Sequence, residues 1–128
     1  MGNWNVDIDE SKNRLYLSLE GHLTVDEVEA AADAVIEAAE RLDEGFDEVS
    51  DLRGFEPADP AAMDHIKRGK RGIAENGIAA VCRVVSDSTT GQMQFDRAGE
   101  DEEEYQLAKT DSVEKAEKLL DKRRKQEA

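Results

Sequence analysis

The sequence is poor in the residues that staple or rigidify a small protein, with one cysteine, two prolines, one tryptophan, two tyrosines and three phenylalanines in 128 residues. A single thiol excludes an internal disulfide. Cys82 lies in the apolar run 79–85, where free cysteine behaves as a small hydrophobe and nothing nearby would activate it. No apolar run reaches the 18 residues that a membrane helix needs, and the first residues lack a basic start followed by an apolar stretch. The expectation is a cytoplasmic chain that makes no use of a membrane. Positive charge is also scarce: 17 basic against 31 acidic residues leave a formal net charge of −14. That excludes a nonspecific nucleic-acid binder, whose affinity comes from cations that neutralise phosphate.

Apolar residues, although few, recur at structural periods, so the chain is expected to fold as one domain over residues 1–128. The acidic excess, with many Ala, Val, Asp and Glu, points to adaptation to a salty cytosol, because high net charge preserves solubility there. Trp4 to Ile8 and Leu15 to Glu20 alternate apolar and polar residues around a polar turn, which predicts a hairpin with Leu15, Leu17 and Leu19 facing the core. Thr24 with Glu27 forms a capping box for a first helix. Its stripe is Val28, Ala31, Ala32, Val35, Ala39 and Leu42, with Gly45 as the stop signal.

Phe46 to Leu52 reads as a less regular strand that leads to a corner, after which Asp59 caps a second helix and Pro60 takes its first position, predicting a helix from 60 to about 76. Ala62, Ile66, Gly69 and Ile73 form the inward stripe, with Gly69 suggesting close approach to the sheet. Lys67, Lys70 and Arg71 fall on the outer face with Arg68 at its margin. The run 79–86 is the best candidate for a central strand, although Arg83 within it must reach solvent or a carboxylate, which suggests a partly uncovered sheet face. Residues 91–97 fit either a strand, by the alternation of Met93 and Phe95, or a short helix with Thr89 and Gln92 as a candidate cap, the reading preferred, and Glu100 to Glu104 is a like-charge run expected in a solvated loop. A last strand over 105–109 precedes a helix capped by Ser112, with Val113, Ala116, Leu119 and Leu120 inward and the cations 122–125 at its C-terminal dipole. The predicted class is α/β, of order β-β-α-β-α-β-α-β-α, with a mixed sheet of about five strands and helices mainly on one face.

On four stretches the chain resembles the STAS domain (sulfate transporter and anti-sigma-factor antagonist), in particular its small stand-alone members. These are Leu17-Ser-Leu-Glu-Gly-His-Leu-Thr24, Asp51-Leu-Arg-Gly-Phe55, the strand 79–85 and the segment 105–120. The resemblance implies a regulatory module with a partner-docking face around the corner and the second helix. In the antagonists a serine at the start of that helix accepts phosphate. Here Ala58-Asp-Pro-Ala-Ala62 keeps the family's aspartate as Asp59, but Pro60, Ala61 and Ala62 carry no hydroxyl. Ser50, Ser86 and Ser88 are the hydroxyls that a displaced switch would use.

Three functional readings follow. The first is a non-catalytic interaction module that meets an unidentified protein partner through Arg53, Phe55, Glu56, Asp59, Asp64, Lys67, Arg68, Lys70 and Arg71. Phe55 and Glu56 are expected in an exposed turn, and the basic island 67–71 is expected to complement an acidic partner. Against this stands a plain solvated helix face whose cations offset neighbouring acids. The second reading is small-ligand binding, of a nucleotide at the free amides of the second helix or of an apolar molecule, although Asp59 competes for those amides. The third is an enzyme built from His22, His65, Asp51 and Asp59. Two histidines without metal-ligand spacing give no metal signal, and no nucleophile is paired with a base, so neither catalysis nor a metal or other cofactor is expected.

Overall fold

A computed structural model describes residues 2–87 and 90–127. The chain is α/β, with strands β1 (Asn3–Asp9), β2 (Arg14–Gly21), β3 (Asp47–Phe55), β4 (Ala80–Val84) and β5 (Gln106–Thr110). Helices are α1 (Val25–Arg41), α2 (Met63–Glu75), α3 (Thr90–Arg97) and α4 (Val113–Glu127), with 3-10 turns at Pro60–Ala62 and Glu100–Glu102. The order is the one expected from the sequence. The strands form one sheet in the order β1-β2-β3-β4-β5, β1 antiparallel to β2 and the other neighbours parallel.

Because β2 to β5 advance across the sheet in one direction, right-handed crossovers place the three connecting helices on the same face. On this front face Leu15, Leu17 and Leu19 of β2 join Val28 and Val35 of α1, Ile66 and Ile73 of α2, and Phe95 of α3 in the main core. The back face is smaller: α4 alone covers Val49, Ala80, Cys82 and Val84, using Ala116 and Leu120. Cys82 is fully buried, and burial pushes its thiol up.

Local signals work as their chemistry requires. Thr24 accepts from the Glu27 amide at 3.2 Å while Glu27 accepts from the Thr24 amide at 2.9 Å. Asp59 accepts from the Ala61 amide at 2.8 Å, but the turn it caps is 3-10 before the chain relaxes into α2. Ser112 accepts from the Lys115 amide at 3.2 Å. Thr89, the candidate cap of α3, and Ser88 lie outside the described residues.

Three expectations are corrected. Gly69 packs on α1 rather than the sheet, and a methyl group there would meet the Ala32 side chain at an ordinary 3.8 Å. Leu119 is not inward but 43 % exposed, because α4 packs on β3 and β4 through Ala116 and Leu120 and leaves its flank toward β5 open. Arg83 does not mark an uncovered face. It is 2 % exposed and meets carboxylates inside the front layer.

Candidate functional site

The corner after β3 divides the residues singled out in the sequence into exposed and buried groups. Arg53, Glu56, Asp59 and Asp64 are exposed. Arg53 turns back on its own strand and donates to both oxygens of Asp51, at 3.0 and 2.9 Å, which holds the Asp51 carboxyl below its ordinary range against the opposing effect of burial.

Phe55 is not in an exposed turn: it is 2 % exposed, because β3 runs three residues past the expected end at Leu52 and carries the ring into the front core. There it meets Phe95 edge to face, with centroids 6.4 Å apart. Gly91 permits this approach, since a Cβ at its position would lie 2.4 Å from the Phe55 carbonyl oxygen. Gln94 then clamps the corner. Its amide donates to the Ala58 carbonyl at 2.8 Å and its carbonyl accepts from the Ala58 amide at 2.9 Å.

The basic island is neutralised within the chain. Arg68 meets Asp33 of α1 at 2.7 Å. Lys67, Arg71 and Lys70 meet Asp101, Glu102 and Glu103 at 3.7, 3.1 and 3.0 Å. The acidic run expected in a solvated loop therefore folds back over the island as its counter-charge. Lys70 is a correction in its own right: it is 4 % exposed rather than on the outer face. Its ammonium donates to the Phe95 carbonyl at 2.8 Å and lies 4.8 Å from the Phe95 ring centroid. Burial and the nearby Arg83 lower its pKa to about 8, although Glu103 pulls the other way.

Lys70 belongs to a buried polar cluster on the front face. Arg83 meets Asp96 at 2.7 Å and also pairs with Glu103, while Lys109 meets Asp96 at 2.6 Å. Beneath them, Glu48 is 3 % exposed. Ser50 is hydrogen-bonded to its Oε2, and its Oε1 has no partner among the described residues. Burial pushes the Glu48 carboxyl up despite the opposing Ser50, Arg83 and Lys70.

A second network lies at the start of β3 on the back face of the sheet. Arg14 and Asp47 are fully buried register partners joined at 2.7 Å, and Arg14 also reaches Glu117 at 2.6 Å and Asp121 at 3.0 Å on α4. Arg124 meets the same Asp47 at 3.0 Å and so is not left to the helix dipole. Sequence reasoning missed both clusters. The available signal was the irregularity of Asp47-Glu-Val-Ser-Asp51, since a parallel strand covered on both faces ordinarily reads as an apolar run.

The residues considered for catalysis are dispersed. His22 Nδ1 lies 2.9 Å from the Pro57 carbonyl oxygen, and His65 sits on the α1–α2 seam, 3.8 Å from Glu29. Asp51 is held by Arg53, and Asp59 caps its turn. Among the described residues no group of three or more His, Cys, Asp or Glu is placed to hold a metal ion, and no helix is long and apolar enough to cross a membrane. Of the hydroxyls considered for phosphate, Ser50 is buried, whereas Ser86 is exposed and hydrogen-bonds the Arg53 carbonyl at 3.3 Å.

Among the described residues the most exposed large apolar side chain is Met93, 47 % accessible. It borders a shallow depression with Met63, Thr90, Gln94, Arg97 and Ala98, beside the clamped corner. No family model and no curated protein sequence matches this chain.

Proposed function

We propose that this chain is a non-catalytic protein-interaction module of STAS-like kind, which docks through the exposed part of the β3–α2 corner together with α3. The observation that carries this reading is the depression around Met63, Met93 and Arg97, held against the corner by the Gln94 clamp. Methionine and arginine are the residue types enriched in interface cores, and methionine adapts its shape to a partner. Glu56, Asp59 and Asp64 would form the polar rim. Lys67, Lys70, Arg68 and Arg71 leave the docking face in this reading, because each is already matched by an acid of the same chain. A nucleotide at the start of α2 is not favoured, since Asp59 takes the Ala61 amide and its carbonyl takes the Ala62 amide. With no hydroxyl in 54–62, the module works without the phosphate switch of the antagonists.

The test is affinity capture from native lysate at high potassium chloride. Met93→Asp with Arg97→Glu should remove a specific partner while the unfolding midpoint holds, because exposed substitutions stay within about 0.5 kcal/mol. Charge reversal of Arg71 should leave capture intact. Undiminished capture by the Met93/Arg97 variant would refute this face.

A further inference from the structure

We propose that the cavity beneath the α1–α2 seam is a binding site for a slim neutral molecule whose hydroxyl donates to Oε1 of Glu48 while its short aliphatic chain lies between the helices. The site is separate from the docking face proposed above and does not depend on it. Its floor is Leu17 and Leu19 of β2, and its walls are Val28 and Val35 of α1 with Ile66 and Ile73 of α2. The void, about 40 Å³, exists because the seam is built from small residues: Ala32 faces Gly69 and Ala31 lines the void beside them, where larger side chains would close it. Its one unmet polar atom is Glu48 Oε1, and an unmet acceptor at 3 % exposure costs free energy that a donor would recover.

The neighbours of Glu48 select the ligand class. Ser50 occupies Oε2. Lys70, which also lines the void, spends its protons on the Phe95 carbonyl and Glu103. A water molecule needs two to four polar partners, and the lining offers one that is unmet; Arg83 Nε, the other buried polar atom without a partner among the described residues, belongs to a residue that does not line the void. A cation is opposed by Lys70 and Arg83, both of which act electrostatically on Glu48. An anion would meet carbon walls and a carboxyl group, and the Lys70 ammonium in the lining is already matched by Glu103. What remains is an uncharged donor on an apolar body. Since one water needs roughly 10–15 Å³ of such space, the void holds about three or four heavy atoms, the size of a three-carbon alcohol. His65 also lines the void, and on the same seam Arg68 of α2 meets Asp33 of α1 at 2.7 Å.

The probes are 1-propanol and its isomer ethyl methyl ether, which has the same atoms but no donor. Each is titrated into the full chain while the methyl resonances of Leu17, Leu19, Val28, Val35, Ile66 and Ile73 are followed by NMR. The alcohol should give saturable shifts confined to those methyls and bind about tenfold or more tightly than the ether, as expected when a buried acceptor is left unpaired by the wrong ligand. Glu48→Met should abolish the preference while its spectrum stays native. Ala32→Val, which narrows the void and keeps Glu48, should weaken both probes. Equal binding of alcohol and ether, unsaturable or scattered shifts, or a preference that survives in Glu48→Met would each overturn the proposal.

Discussion

Glu48 shows how one side chain sets a property that composition does not reveal. Its ordinary carboxyl value is 4.5, and burial raises it in the fold. A raised carboxyl contributes stability in full below its unfolded value and loses it as pH rises through the folded value. Glu48→Gln has no such term, so the difference in urea midpoint between variant and parent should grow in the variant's favour from pH 4 to pH 7. Lys70 does not blur this window. Its lowered value means that its contribution is complete above 10.5 and lost as pH falls through about 8. Parallel midpoints for the variant and parent over that range would show that the Glu48 carboxyl is not raised in the fold.

At the scale of elements, the seam between α1 and α2 turns on two glycines with opposite roles. A methyl group on Gly69 would make an ordinary 3.8 Å contact with Ala32, whereas one on Gly72 would lie 2.5 Å from Ile36 Cγ1. Gly69→Ala should therefore raise stability by up to about 1 kcal/mol through helix propensity, and Gly72→Ala should lower it by about 1–3 kcal/mol through overpacking. Denaturant melts of the two variants check the difference in sign. Helix α4 is held differently, with few apolar anchors and the Arg14–Asp47 network at its end. Removing one member of a buried ion pair costs about 3–5 kcal/mol when the other is stranded, and because Arg124 still meets Asp47 at 3.0 Å, Arg14→Met should fall at the lower end of that range. Arg14→Met with Asp47→Leu should recover most of that loss, since the stranded charge goes with it.

The whole molecule carries −14, and this charge works against compaction while the internal ion pairs work for it. Screening weakens the long-range repulsion first: the Debye length falls from about 10 Å at 0.1 M to about 3 Å at 1 M salt. Buried pairs such as Arg14–Asp47 are screened much less. The thermal midpoint should consequently rise with potassium chloride over that range. A flat profile would show that self-repulsion is not a term in the stability of this fold.

What the sequence determined by itself were the features that depend on neighbours along the chain. The Thr24–Glu27 box, the Asp59-Pro60 start, the alternation of Leu15, Leu17 and Leu19 and the stripe of α1 all act within one or two turns or one strand, so period and capping chemistry were enough to read them. The order of elements followed, and with it the front face. Tertiary structure decided the partners of charges distant in sequence. Lys70 looked like one more cation on an outer face, and only the return of the acidic run beside α2 buries it against Glu103. Phe55 looked like a turn residue until β3 proved longer, and Glu48 looked like one acid among 31. Helical or strand period says which face a residue takes but not what closes over that face. The meeting of α2 with 100–104, and of α1 with α2 above Glu48, is set by packing across the sheet, and that packing leaves no local pattern in the chain.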